Sequence, residues 1–133
     1  MRDKIISIIK EILQTNETIE FVYVFGSFLS EKDYSDIDIG IYLSQEMDEN
    51  ILYITSNMKH KISRRLKESN ILIEADRIDI TLLNSVDFMF EYHVFKEGLL
   101  ILDRNSEHRT ELIEKNSIKV RECMGILKEA EIL

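Results

Sequence analysis

Hydrophobic residues recur along the chain with two periods, and the longer period predicts helices. Ile5, Ile9 and Ile12 are spaced by four and three residues, which is typical of an amphipathic helix near residues 1–15. The same spacing predicts a second helix over residues 50–67. Its apolar side would carry Ile51, Ile54, Met58, Ile62 and Leu66.

Two further helices are predicted in the second half of the chain. One covers residues 85–96, with Asn84 or Ser85 as its N-cap. The other is long, 106–131, and its apolar side carries Ile113, Val120, Met124 and Leu127. That side could pack on the core of the domain, or it could serve as an interface with a partner protein. The sequence leaves both interpretations open.

The shorter period predicts four strands. Residues 19–25 are β-branched and aromatic and stop at Gly26, which is typical of a strand covered on both faces. Residues 36–43 and 75–83 alternate between apolar and polar positions, as expected for strands with one face in the core. A short strand, 99–102, completes the set.

The resulting order, α-β-β-α-β-α-β-α, predicts a small α/β (α+β) fold. We expect a mixed sheet of about four strands flanked by helices. With 133 residues, 44% of them hydrophobic and 32% charged, the chain fits one globular domain spanning 1–133.

Charge and cysteine content narrow the possible functions. The formal net charge of −8 gives no overall field for holding a nucleic-acid backbone directly. A single cysteine, Cys123, excludes an internal disulfide framework and suits a reducing compartment. No apolar run approaches the roughly 20 residues of a membrane helix, and the first segment lacks the features of a signal peptide. The expected location is the cytoplasm.

Candidate chemistry is concentrated where the first two strands meet. Asp36 and Asp38 are two apart on an alternating strand, so both carboxylates leave the same face. Converging carboxylates repel one another, and a hard divalent cation such as Mg²⁺ relieves that repulsion. Gly26 and Ser27 directly follow the first strand, and eight residues separate Ser27 from Asp36. Glycine allows close approach of a phosphate, and the serine hydroxyl and backbone N–H could bind its oxygens.

A third carboxylate is expected from a neighbouring strand. Asp79 is the best candidate because it lies on the polar face between Ile78 and Ile80, and Asp76 is a weaker one nearer the strand start. Taken singly, these features have ordinary explanations as a turn and a solvated strand face. Their conjunction favours a functional site. An EF-hand is excluded because the Glu that closes its calcium-binding loop is absent here. A P-loop is excluded because its glycine- and lysine-containing motif is absent.

The motifs then resemble a known family. Val24-Phe25-Gly26-Ser27, followed by Tyr34-Ser35-Asp36-Ile37-Asp38-Ile39, is similar to the signature of the nucleotidyltransferase superfamily typified by DNA polymerase beta. Arg77-Ile78-Asp79-Ile80 and Glu97-Gly98-Leu99-Leu100 resemble its minimal nucleotidyltransferase (MNT) branch. The resemblance extends to about Asp103 and implies the polymerase beta-like fold.

The resemblance also implies roles for individual residues. Gly26 and Ser27 would bind the nucleotide, and Asp36, Asp38 and Asp79 would be catalytic residues that ligate Mg²⁺. Members of the MNT branch are often antitoxins that transfer AMP from ATP to a tyrosine of a HEPN-domain toxin. The expected partners are therefore ATP and a HEPN toxin, in a hetero-oligomer, with no membrane and no direct nucleic-acid contact.

Two departures from the family pattern concern the phosphate-binding loop. The loop between Ser27 and Asp36 has eight residues, which is shorter than is common in the family. Phe28 stands where many members have Arg, and Lys32 is a candidate to replace that cation. Two alternatives stay beside the leading hypothesis, and the two departures favour only the second of them. One is nucleotidyl transfer to a small-molecule hydroxyl, and the other is a non-catalytic module that neutralises its partner by binding.

Overall fold

The computed structural model describes residues 1–45 and 50–129, apart from the side chain of Leu127. Five α-helices and four β-strands alternate along the described residues. The helices are α1 (Arg2–Leu13), α2 (Ser27–Ser30), α3 (Ile51–Glu68), α4 (Phe88–Glu97) and α5 (Ser106–Glu129). The strands are β1 (Ile19–Phe25), β2 (Ile37–Leu43), β3 (Ile78–Leu82) and β4 (Leu99–Asp103).

The strands form one mixed sheet in the order β3-β2-β1-β4. β1 is central and antiparallel to both β2 and β4, whereas β2 and β3 are parallel. A parallel pair needs a crossover connection, and α3 supplies it. The predicted mixed sheet of about four strands is confirmed. The long apolar run of β1 is explained by its position, because β1 lies between two other strands and both faces of the sheet are covered by helices.

The two faces of the sheet carry separate hydrophobic clusters. One face packs against α1 and α3, and its fully buried side chains include Ile5, Ile9, Ile39, Ile41 and Ile62. The opposite face packs against α4 and α5 around Phe21, Tyr23, Leu83 and Val94. The predicted alternation of β2 is confirmed, because Ile37, Ile39 and Ile41 are buried while Asp38 and Tyr42 face the other side and are half-buried.

The start of α4 corrects the predicted N-cap. Neither Asn84 nor Ser85 caps the helix, since both lie in a 3₁₀ turn, Leu83–Ser85. Asp87 is the cap, and its carboxylate accepts hydrogen bonds from Met89 N and Phe90 N at 3.0 Å. Asn84 instead holds the main chain of Leu43, accepting from its N–H at 2.8 Å and donating to its carbonyl at 2.9 Å.

The long helix α5 packs on α4 along only part of its length. Val120 is buried and Ile113 is half-buried, whereas Met124 is 41% exposed. Asn116 is also buried, donating to Phe88 O at 2.7 Å. The predicted residues 130–131 lie outside the described part of the chain. The interface role of 106–131 stays a prediction. None of the helices within 1–45 and 50–129 is long and apolar enough to cross a membrane.

Candidate functional site

The ends of three strands bring the predicted site residues together. In the antiparallel register of β1 and β2, Phe25 lies opposite Asp38, so Gly26 begins beside the Asp38 side chain. In the parallel register of β2 and β3, Asp38 lies opposite Asp79. Two partners in adjacent strands point to the same face of a sheet, with strands about 4.8 Å apart. Asp38 therefore lies between the Gly26 turn and Asp79.

The carboxylates influence one another electrostatically. Burial raises the pKa of Asp38 above its usual range, and the negative charges of Asp79 and Asp36 raise that pKa further. Asp38 and Asp36 are half-buried, and Asp79 is exposed. None of the three forms an ion pair with a Lys, Arg or His within residues 1–45 and 50–129. The described residues thus leave a concentration of negative charge without a counter-cation.

This donor set fits a divalent cation that is shared with a substrate. Within the described residues, no three His, Cys, Asp or Glu side chains are arranged to hold a metal ion by themselves. Mg²⁺ is usually bound by one or two carboxylates together with substrate phosphates and water, so a closed protein cage is not required. The residues that could ligate it are Asp36, Asp38 and Asp79, and their metal role stays a prediction.

Gly26 is required at its position for two reasons. Its φ of +80° is a conformation that side-chain-bearing residues rarely adopt. A Cβ at this position would also displace the Asp38 carboxylate, because Oδ2 of Asp38 occupies that space. Ser27 follows as the first residue of the four-residue helix α2, and its hydroxyl has no hydrogen-bond partner within the described residues. The hydroxyl of Ser27 is therefore available to a ligand oxygen.

The short loop after Ser27 is anchored by aromatic packing. Phe28 has no exposed surface, and its ring meets the Tyr34 ring edge-on at 4.8 Å between centroids. The Arg2 guanidinium lies 5.6 Å above the Phe28 ring and donates to Glu31 O at 2.8 Å. Phe28 is thus a core residue that fixes the loop, and Lys32 is an exposed residue of the same loop.

Two arginines near this loop were missed in the sequence. Arg77 donates from Nε to Ser35 O at 2.7 Å and from Nη2 to Tyr34 O at 3.2 Å. Arg2 holds the middle of the loop through the carbonyl of Glu31. Their acceptors are main-chain carbonyls, which carry no residue-type signal, so no pattern in the sequence could have identified these contacts.

Asp76, the weaker candidate for a third carboxylate, lies in the exposed 3₁₀ turn before β3 and not on the strand.

The fold, with carboxylates at strand ends beside a Gly-Ser turn, is the arrangement expected of a nucleotidyltransferase domain. The profile of the polymerase beta nucleotidyltransferase family matches residues 7–107, and the chain belongs to that family. The resemblance predicted from the motifs is confirmed at this level. A search among curated proteins gives no match.

Solved structures with the same fold include toxin–antitoxin proteins. A complex of tri-AMPylated Shewanella oneidensis HEPN toxin with MNT antitoxin contains a chain that is 15% identical, with a TM-score of 0.64, covering 98% of this chain and 95% of that one. For the toxin–antitoxin MntA-HepT the identity is 15%, the TM-score 0.65 and the coverage 96% and 94%. A toxin–antitoxin structure with AMP-PNP gives 16% identity, a TM-score of 0.65 and 94% coverage of both chains.

Proposed function

We propose that this chain is a Mg²⁺-dependent nucleotidyltransferase that transfers AMP from ATP to the hydroxyl group of a tyrosine in a HEPN-domain toxin. It would thereby act as the antitoxin of that toxin, in the cytoplasm and in a complex with it. The single observation that carries this proposal is the Asp38–Asp79 strand pair beside Gly26 and Ser27, with Asp36 close enough to raise the pKa of Asp38.

The comparisons support this proposal more than its alternatives. The family is one of nucleotidyltransferases, and the described fold is similar over nearly its full length to a chain solved with a tri-AMPylated toxin. Transfer to a small molecule is less favoured because the solved structures that share this fold over 98% and 96% of this chain are toxin–antitoxin proteins. A purely binding role would not need the unpaired carboxylates.

The reaction divides the site residues by role. Gly26 and Ser27 would receive the triphosphate, since the glycine lacks a side chain and the serine hydroxyl is free. Asp36, Asp38 and Asp79 would hold Mg²⁺, and Asp79 would also help to activate the acceptor hydroxyl. When bound, the metal would neutralise developing charge on the phosphates. The acceptor oxygen attacks the α-phosphorus, the bond to the bridging oxygen breaks, and pyrophosphate leaves. Positioning supplies most of the catalysis.

The experiment that tests this function measures the mass of the partner. The genes on either side are first inspected for the HEPN-domain protein that the proposal expects. That protein is incubated with the chain, ATP and Mg²⁺, and its intact mass is recorded. We expect a gain of one or more AMP units with the wild-type chain. Asp38→Asn should abolish the gain, because it removes the central carboxylate, while the matched control Asp76→Asn should retain it.

The alternatives give different results in the same assay. An unchanged mass of a partner that is nevertheless inhibited would contradict AMP transfer and support neutralisation by binding. An equal mass gain with Asp38→Asn and wild type would contradict the assigned site. A labelled-ATP assay with small hydroxyl compounds in place of the partner tests the remaining alternative.

A further inference from the structure

Arg77 occupies an unusual place at the start of two neighbouring strands. It ends the 3₁₀ turn Ala75–Arg77 and lies two residues before Asp79 on β3. Its guanidinium reaches across to the segment before β2, where it donates to the carbonyls of Tyr34 and Ser35 at 3.2 and 2.7 Å. One half-buried side chain therefore connects the lead-in segments of both strands that carry the predicted site carboxylates.

These hydrogen bonds extend the connection between the strands beyond the sheet. The backbone ladder of β2 and β3 begins at the pair Ile37–Ile78. Asp36 lies outside that ladder, between its first pair and the carbonyls that Arg77 holds. The backbone after Asp36 is therefore fixed to β3 by main-chain pairing, and the backbone before Asp36 is fixed by Arg77 to the turn that leads into β3.

We propose that Arg77 is a positioning residue of the carboxylate site, which fixes Asp36 relative to Asp38 and Asp79. The proposal rests on the function proposed above. A guanidinium with donors in a planar fork can hold two successive carbonyls, which a lysine ammonium can do only in part. Small displacements of the carboxylates weaken the binding of a metal and its nucleotide. Loss of Arg77 should therefore lower the affinity for both more than it lowers the stability of the fold.

The chain offers a matched control in Arg104. Its guanidinium also donates to main-chain carbonyls, those of Gln14, Asn16 and Ile19, including Asn16 O at 2.7 Å. Ile19 begins β1, whereas Phe25 and the site lie at the other end of that strand. Arg104 therefore makes the same kind of contact far from the carboxylates. If loss of such a contact only loosened the fold in general, Arg77→Gln and Arg104→Gln should have similar effects.

The first measurement is the affinity of the full chain for AMP-PNP with Mg²⁺, by calorimetry. We expect Arg77→Gln to weaken binding about tenfold or more, Arg77→Lys to restore part of the affinity, and Arg104→Gln to stay within about twofold of wild type. Melting temperatures of Arg77→Gln and Arg104→Gln should fall by similar amounts. Wild-type affinity in Arg77→Gln, or an equal loss in Arg104→Gln, would overturn the proposal.

A second measurement separates this proposal from the proposed function. Amide hydrogen exchange of the ligand-free chain is followed in peptides covering residues 34–38. Faster exchange there in Arg77→Gln, and not in Arg104→Gln, is expected even if the wild type binds no AMP-PNP. Absence of binding by the wild type would count against the proposed function, whereas unchanged exchange in Arg77→Gln would overturn the positioning role.

Discussion

Replacing Asp38 by Asn tests the electrostatics of the site through stability alone. Asp38 and Asp79 are partners in adjacent strands and face the same side, so we place their carboxylates about 5 Å apart. Two unit charges at that distance repel by about 3 kcal/mol at an effective dielectric constant of 20 and about 0.8 kcal/mol in water. Because Asp38 is half-buried and Asp79 exposed, a value near the lower limit applies.

We therefore expect Asp38→Asn to stabilise the ligand-free protein by about 1 kcal/mol at pH 7. For a domain of this size that corresponds to a rise in Tm of about 3–5 °C. The same variant should lose AMP transfer. A more stable but inactive variant is the expected signature of charges held together for ligand binding, since residues selected for stability alone would not repel.

The pH dependence of this gain has a defined sign. The pKa of Asp38 is raised above its usual 3.8, first by burial and then by Asp79 and Asp36, so the folded state binds that proton more tightly than the unfolded state. The folded wild type is therefore penalised as the pH rises from below 3.8 through the raised pKa. The advantage of Asp38→Asn should be full at pH 7 and should shrink as the pH falls toward about 4.

Urea unfolding at several pH values measures both quantities. Asp76→Asn is the control, because Asp76 is exposed in the turn before β3 and is not among the causes of the raised pKa of Asp38. The reasoning would be refuted if Asp38→Asn were no more stable than wild type at pH 7. A gain of equal size at pH 4 and pH 7 would also refute it, since the effect would then not arise from ionisation.

Two more predictions concern the turn and the loop beside these carboxylates. Gly26→Ala should destabilise the fold by about 1–2 kcal/mol through its φ of +80°. The added methyl group would displace the Asp38 carboxylate and should therefore also weaken AMP-PNP binding. Unfolding and calorimetry on one preparation check both effects. Phe28→Arg, which restores the residue common in the family, should fail to improve nucleotide affinity and should cost at least about 3 kcal/mol, because the ring is fully buried. A stable Phe28→Arg protein with tighter AMP-PNP binding would contradict the assignment of Phe28 to the core.

The sequence was sufficient for the elements whose hydrophobic period is strong. The strand predicted over 19–25 has the bounds of β1, and the polar face predicted for Asp38 follows from simple alternation. Because a strand side chain has only two possible directions, one buried isoleucine on either side was enough to orient Asp38. To predict that Asp38 and Asp79 lie on the same face of the sheet, only one additional fact was needed, namely that their strands are neighbours.

The N-cap of α4 shows where local pattern is insufficient. Asn84, Ser85 and Asp87 are all residues that favour caps, so the sequence alone did not distinguish them. The contact that decides the matter is distant, since the Asn84 side chain is engaged with Leu43, 41 residues away. Arg77 is a similar case, because its acceptors are carbonyls 42 and 43 residues away in sequence.

Phe28, in the place where many family members have Arg, would give the shortened loop a different basis for the phosphate binding that we propose. Phe28 is buried against Tyr34, Arg2 holds the carbonyl of Glu31, and Arg77 holds the end of the loop. These contacts leave the loop few conformations, so binding a ligand would require little further ordering. The same exchange removes a charge that could attract the triphosphate. Under our proposal, a cation bound to the carboxylates supplies most of this attraction, beside the exposed Lys32 of the loop. Nucleotide affinity in this chain should therefore depend more steeply on Mg²⁺ than in relatives that keep the arginine.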